Sequence, residues 1–358
     1  MTVATATRPD DGDRILLALR HHLDRRREVV AGVDVRVDRL AGLLSDFVLG
    51  GGKRIRPRFA LAGWAAAVPE DAAVPAEIIT ACAALELIQA CALIHDDIVD
   101  ASDTRRGSPT VHRRVEAVHD GEGWSGDPAR YGVSQAILVG DLALTWADEM
   151  FVTCGVDPAA LGRALAPWYA MKTEVLSGQM LDILAEASGA TDELTPTRVN
   201  RFKTAAYTVE RPLHIGAELA GAGPDTVAAL RRFGVAVGQA FQLRDDMLGV
   251  YGDPQETGKP SGDDLREGKR TLLLARGIAL APTGDADFLL SVLGTDLGAS
   301  ELDRARRVLV DSGAVASVEA EIDTLTVRAL DAVDSEAVSE HGRVLLRGLS
   351  EAATRRRA

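Results

Sequence analysis

The apolar positions of this chain concentrate in long stretches that contain no proline. Such stretches run over 76–108, 129–156, 168–195, 225–253 and from 283 to the end. Proline removes a backbone donor and clashes with the preceding turn, so its absence leaves room for long helices. The stretches are rich in Ala, Leu, Glu and Arg, all good helix formers. Ile78–Leu93 is apolar almost all round, broken by Glu86 and Gln89, which predicts a helix buried in the middle of a bundle. Phe233–Leu248 predicts a second apolar helix. Alternating β-branched runs bounded by turns are scarce, so the pattern predicts an all-α fold. Two segments interrupt it. Arg105–Gly132, with SPT and DGEGWSGDP, reads as a long polar loop or lid, and Gly249–Lys269 reads as a loop from its Gly, Pro and Asp content. Each begins after an acidic cluster at a helix end. With no repeat and no linker, the expected organisation is one domain over 13–352, a frayed 1–12 and a basic tail over 353–358.

Composition narrows the function classes. At 358 residues with 46% hydrophobic and 26% charged residues, the chain has the balance of a globular protein able to bury a core. Its formal charge of −13 argues against coating nucleic acid, which needs an excess of Lys and Arg. Cys82, Cys91 and Cys154 are too few and too scattered for a disulfide framework or a zinc site, which fits a reducing cytoplasm. The start, MTVATATRPDDGDR, lacks the pattern of a signal peptide. No run of about 18 uncharged apolar residues stands out, so no transmembrane span is expected.

The chemistry lies in two acidic clusters. In His95-Asp96-Asp97-Ile98-Val99-Asp100, Asp96 and Asp100 are four apart on a helix, with Asp97 beside them. Carboxylates crowded at the end of an apolar helix repel one another unless a cation neutralises them. Hard oxygen ligands with no thiol nearby suit Mg²⁺, which completes its shell with water and substrate phosphates. A solvated acidic helix end is the alternative for one such cluster. Gln242-Leu243-Arg244-Asp245-Asp246 supplies a second, and the two could face each other across a pocket. Lys53, Arg54 and Arg56 in GGKRIRP, Arg105 and Arg106 in RRGSPT, Lys203 in FKTAAY, Lys259 in TGKP and Lys269 in GKRT supply cations suited to phosphate oxygens. Together they describe a site for two diphosphates and several Mg²⁺ ions.

These residues resemble the trans-isoprenyl diphosphate synthases, in order along nearly the whole chain: GGKRIRP, Gln89, DDIVD, RRGSPTVH, VGDLAL, SGQMLD, FKTAAY, FQLRDD, TGKP and EGKRT. The resemblance implies an all-helical fold around a deep central cavity, usually a homodimer. It implies head-to-tail condensation of isopentenyl diphosphate with a C5, C10 or C15 allylic diphosphate. Carried over, Asp96, Asp97, Asp100, Asp245 and Asp246 would hold Mg²⁺, roughly three ions per site with substrate bound. Arg105, Lys203, Thr204, Gln242, Lys259 and Lys269 would meet the allylic diphosphate, and Lys53, Arg56, Gln89 and Arg106 the isopentenyl diphosphate. The departing diphosphate would serve as the base. His95 and His112 are expected to be hydrogen-bonded structural histidines.

The chain departs from the family pattern at Gly249. Many members have a third aspartate there, so one carboxylate of the second cluster is missing. Asp253 or Asp264 could assist, although both read more simply as loop residues. Short-chain relatives close the product tunnel with an aromatic residue four or five positions before the first aspartate. Here those positions are Ala92 and Cys91, both small, with Leu87 and Ile88 as the next floor. The expected product is geranylgeranyl diphosphate (C20), with longer prenyl or farnesyl diphosphates as alternatives, and Cys91→Phe is expected to shorten it. A class I terpene cyclase needs no second diphosphate site, so GGKRIRP and Arg106 argue against one. A non-catalytic partner subunit would be expected to have lost metal ligands.

Overall fold

The computed structural model describes residues 9–253 and 261–354. Its helices are α1 (Pro9–Ala31), α2 (Val35–Leu49), α3 (Ile55–Ala65), α4 (Ala76–Ala83), α5 (Leu85–Val99), α6 (Val111–Gly121), α7 (Pro128–Val152), α8 (Pro158–Ser188), α9 (Leu194–Val199), a π-helix (Asn200–Glu210), α10 (Arg211–Ala220), α11 (Pro224–Tyr251), α12 (Asp263–Arg266), α13 (Leu272–Leu280), α14 (Thr283–Val292), α15 (Ala299–Asp311), α16 (Ala314–Val333) and α17 (Glu340–Thr354). The strands among the described residues are the two-residue β1 (Thr104–Arg105) and β2 (Ser108–Pro109), paired antiparallel. The fold is all-α, as the sequence pattern predicts.

Contacts divide the chain into two compact units. Among the described residues, one holds 9–61 together with Asp71–Leu161, and the other Ala62–Glu70 with the described part of the chain from Gly162 to Thr354. In the first, α7 is the central helix, packed by α5 and α6 and, less extensively, by α2 and α4. Its start is fixed by Asp127, whose carboxylate accepts from the Ala129 N–H at 2.9 Å, and by Pro128 in the first turn, where a missing N–H costs nothing. In the second unit, α11 is central, packed chiefly by the π-helix and α16, then by α10 and α17. Buried Phe233, Val237, Ala240 and Leu243 give α11 an apolar face over about three turns.

The structure corrects the sequence reading at four places. The segment 105–132 is not a long loop: after the hairpin it forms α6, whose inner face is Val111, His112, Val115 and His119. Polar VHRRVEAVHDG hides that period because two of its four inward residues are histidines. The apolar run 78–93 is divided between α4 and α5 at Ala84, which keeps right-handed helical dihedrals. Taken together, Ala76–Val99 is long and apolar enough to cross a membrane, but 72% of its apolar window is buried inside the structure, as in a core helix. Finally, Pro167 lies inside α8 rather than ending it.

Candidate active site

In the first unit, α5 ends in the acidic cluster and the chain turns at once into the β1–β2 hairpin. Asp100 caps the helix, its N–H bonding back to the Asp96 carbonyl at 2.8 Å. The backbone N–H of Ser102 then donates to the Asp97 carbonyl at 2.9 Å, and the Thr110 N–H to Asp103 at 3.1 Å, closing the hairpin over the helix end. That closure brings Arg105 onto Asp97: its Nε and Nη2 lie 2.7 and 2.6 Å from Oδ1, and Nη2 is 3.9 Å from Asp96 Oδ2. Asp97 is 1% exposed, and burial pushes its carboxyl up, with the Arg105 guanidinium as the main opposing influence. Its Oδ2 is buried with no hydrogen-bond partner. Asp96 and Asp100 are half-buried.

The GGKRIRP segment is shaped by its glycines. Gly51 and Gly52 have φ of 109° and 127°, and Arg54 itself has φ of 50°. Arg54 is committed to the fold: its guanidinium pairs with buried Glu86 at 2.5 Å and donates to the Val48 carbonyl at 2.6 Å. Glu86 is a residue whose role the sequence reading missed, although a carboxylate inside an apolar run is itself the signal of a buried partner. Arg106, also at positive φ, donates to the Gly51 carbonyl at 3.0 Å, which joins the hairpin to this turn. Burial and the neighbouring Arg105 and Arg54 push its pKa down. Thus Lys53, Arg54, Arg105 and Arg106 belong to two connected turns of one unit; Lys53 is exposed and Arg56 half-buried.

Both histidines have the expected structural roles. His95 Nε2 is 3.0 Å from the Ile137 carbonyl, and Cys91 Sγ is 3.8 Å from Nδ1. A carbonyl can only accept, so the proton sits on Nε2. Gly140 on α7 makes room for this ring. The Thr110 hydroxyl donates to the Ser102 carbonyl at 3.0 Å and therefore accepts from His112 Nδ1, 3.1 Å away. On α5, Cys91 accordingly points towards His95 and α7. Ala92 lies one turn before Asp96 on the same helical face, with Ile88 a further turn down.

In the second unit, Gln242, Asp245 and Asp246 lie near the end of α11. The Gln242 amide donates to Asp246 Oδ1 at 2.6 Å. Asp246 is buried, and its pKa is pushed up to about 8, first by burial and then by the Asp264 and Asp245 carboxylates, with Lys269 acting in the opposite sense. Asp264, on α12, fills the space beside Gly249: a Cβ on that glycine would run into the Asp264 carboxylate. The space beside position 249 is thus occupied by a carboxylate from another element. Lys269 pairs with Asp264 at 3.6 Å and with Glu267. Lys203 and Thr204 lie on the π-helix, and Lys203 Nζ is 2.7 Å from Asp182 Oδ2 on α8. Lys259 lies outside the described residues.

Among the described residues, no group of three or more His, Cys, Asp or Glu side chains is disposed to hold a metal ion unaided. Mg²⁺ bridging to phosphate uses one or two carboxylates and leaves the rest of its shell to water and substrate. The donors are all oxygens, Asp97 has an unsatisfied buried oxygen, and Asp246 with its two acidic neighbours Asp245 and Asp264 carries more potential negative charge than Lys269 offsets. The residues fit such an ion.

Known proteins carry the same arrangement of sequence. The polyprenyl synthetase family model matches residues 37–308. The chain belongs to the polyprenyl synthetase family. It is 43% identical to a geranylgeranyl pyrophosphate synthase from Corynebacterium glutamicum, solved in complex with isoprenyl diphosphate and magnesium; the match covers 97% of this chain and 99% of that one, with a TM-score of 0.93. Geranylgeranyl pyrophosphate synthetase from Pyrococcus horikoshii superposes with a TM-score of 0.81 at 27% identity, covering 97% of each chain. Among curated relatives, geranylfarnesyl diphosphate synthase of Aeropyrum pernix is 33% identical over 314 residues, which is 85% of this chain and 92% of that protein. Like its relatives, this polyprenyl synthetase is a prenyltransferase.

Proposed function

We propose that this polyprenyl synthetase condenses isopentenyl diphosphate with allylic diphosphates and releases geranylgeranyl diphosphate. The observation that carries the reading is the joined pair of turns in the first unit. An aspartate-rich helix end with Arg105 docked on it is linked through Arg106 to the glycine turn that bears Lys53. A diphosphate is a chelating polyanion, and this combination of carboxylates and neighbouring cations is what recognises one through a divalent ion.

Asp96, Asp97, Asp100, Asp245 and Asp246 are the residues that would hold Mg²⁺, with Asp264 supplying the carboxylate that position 249 lacks. Bound Mg²⁺ neutralises diphosphate oxygens and so eases departure of the leaving group. Arg105 has two functions: it pairs with Asp97 and presents its remaining donors to the allylic diphosphate. Lys203, Thr204, Gln242, Lys259 and Lys269 bind that same group, and their fixed charges stabilise the negative charge that develops as the carbon–oxygen bond breaks. Lys53, Arg56, Gln89 and Arg106 orient isopentenyl diphosphate, whose double bond attacks the allylic carbon. Loss of a proton to the departing diphosphate completes the step. Neither His95 nor His112 is needed as a base, since each is engaged with backbone or hydroxyl groups.

Small Ala92 under Asp96 leaves the growing chain space, and Ile88 and Leu87 form the floor that limits it. A homodimer is supported by an exposed apolar stripe on α8: Leu176, Met180, Ile183 and Leu184 recur at helical spacing and are 43–68% exposed. The three cysteines are free and buried, in keeping with a cytoplasmic enzyme.

Mass spectrometry of products made with Mg²⁺, isopentenyl diphosphate and C5, C10 or C15 primers tests the reading. The expected result is extension by C5 units ending at C20. Ala92→Phe is expected to stop extension mainly at C15. Absence of any extension would overturn the synthase assignment, and an unchanged C20 product in the variant would overturn the tunnel assignment.

A further inference from the structure

Glu210 is 1% exposed and takes no part in the site described above. It ends the π-helix, and two guanidinium groups hold it. Arg201 Nη2 is 2.6 Å from Oε2, and Arg231 on α11 donates from Nε to Oε1 at 3.0 Å. Arg201 and Glu210 belong to the same helix, nine positions apart. At about 3.6 residues per turn, nine residues are two and a half turns, which puts such a pair on opposite faces. In a helix closed by i→i+5 bonds, each turn takes more than four residues, so nine residues are roughly two turns and the pair shares a face. The Arg201–Glu210 pair therefore exists only while residues 200–210 keep the wide turn.

The surroundings select the same form. A Cβ on Gly234 would lie 2.5 Å from the Glu210 Cα, and one on Gly238 would lie 2.5 Å from the Ala205 Cα. One on Gly178 would collide with the backbone of Lys203. Glycines on α8 and α11 thus let the broader helix approach both neighbours closely. Lys203 and Thr204 lie inside the segment, so returning it to α-helical register would rotate them relative to Asp182 and α8.

We infer that Arg201, Glu210 and Arg231 form a staple that holds residues 200–210 in the wide-turn form and so fixes where the Lys203 ammonium stands for the substrate diphosphate. They are positioning residues, and the inference rests on Lys203 binding the allylic diphosphate. Glu210→Gln keeps the shape of the side chain and removes its charge. Its expected signature in the full-length protein is amide hydrogen exchange about tenfold or more faster across 200–210, with α7 unchanged. The accompanying loss in kcat/KM for the allylic diphosphate is between about tenfold and a hundredfold, because a misplaced binding group costs rate steeply. KM for isopentenyl diphosphate stays within about twofold. Arg201→Lys, which keeps the cation, recovers most of what Arg201→Gln loses. Arg231 is 42% exposed at its side chain, so Arg231→Gln gives a milder version of the same signature if Glu210→Gln does not fold. Unchanged exchange across 200–210 in Glu210→Gln, or in Arg231→Gln where that variant replaces it, overturns the staple. Equal KM rises for both substrates overturn its positioning role. Lys203→Ala tests the underlying assignment separately: an unchanged KM for the allylic diphosphate there overturns the role of Lys203 itself, whatever the exchange data show.

Discussion

Each unit buries one aspartate of an acidic cluster near a helix end, and the two are neutralised differently. Asp97 meets a guanidinium at 2.6 Å. Asp246 meets a neutral amide at 2.6 Å and the acids Asp245 and Asp264, with Lys269 acting on it less strongly from its pair with Asp264. A buried charge is tolerated when it is paired, and otherwise the group takes up a proton. The first cluster therefore has a guanidinium directly on its buried aspartate, whereas in the second the buried aspartate is bonded to a neutral amide and burial favours its protonated form. The same residue type at the same kind of helix end has two electrostatic characters, set by what the following loop supplies. After α5 that is Arg105 on a tight hairpin, and after α11 it is Asp264 on α12.

The largest effect expected from breaking this contrast is at Arg105. Arg105→Ala leaves the Asp97 carboxylate buried without its guanidinium partner, and loss of one partner from a buried pair costs about 3–5 kcal/mol. Denaturant unfolding should show that loss, and product formation should fall with it if Arg105 also meets the allylic diphosphate as proposed. Asp97→Asn in the Arg105→Ala background should recover much of the stability but not the activity. Equal losses in the single and double variants would show that Arg105 acts by packing alone.

A smaller effect is expected where the second cluster is altered at Gly249. Restoring the family's third aspartate with Gly249→Asp drives a side chain into the space that Asp264 occupies. Overpacking typically costs about 1–3 kcal/mol, and the added like charge increases it. Gly249→Asp combined with Asp264→Ala removes the clash and keeps three carboxylates, so its stability and turnover should return towards those of the parent. If Gly249→Asp alone is neutral in thermal melting, Asp264 does not substitute for the absent aspartate.

How much of this was legible in the sequence follows from the same contrast. The acidic clusters and their cations stand out because charge is rare at the ends of apolar helices, and both proved to be helix ends. The loop after α5 was misread because α6 presents histidines inwards, and a polar residue that hydrogen-bonds in a core leaves no hydrophobic period. The π-helix left no trace: its residues at 201 and 210 pair only at a periodicity that sequence patterns are not read for. The sequence offers Asp264 as a candidate, but only the fold shows that its carboxylate lies beside Gly249. Contacts within a helix turn can be read from spacing, whereas those between elements, such as Glu86 with Arg54 or Lys203 with Asp182, need the tertiary structure.

The effect that bears most directly on the difference between the two aspartates is in pH dependence. For Asp246 the folded-state value of about 8 lies above the ordinary 3.8, so the folded protein keeps a proton that the unfolded chain releases. Stability of the metal-free protein from this group is therefore full below pH 4 and is lost as pH rises towards about 8. Asp246→Asn keeps an oxygen for the Gln242 amide and cannot ionise. In thermal melts with chelator present, the variant and the parent should coincide near pH 4 and separate by a few degrees towards pH 8, the variant melting higher. Burial pushes the Asp97 carboxyl up as well, but Asp97 is paired with Arg105, and Asp97→Asn leaves that guanidinium without its charged partner, so this variant should melt lower than the parent at neutral pH. Variants at both positions that shift in the same direction would mean that the two clusters are neutralised alike, and that Arg105 does not set them apart.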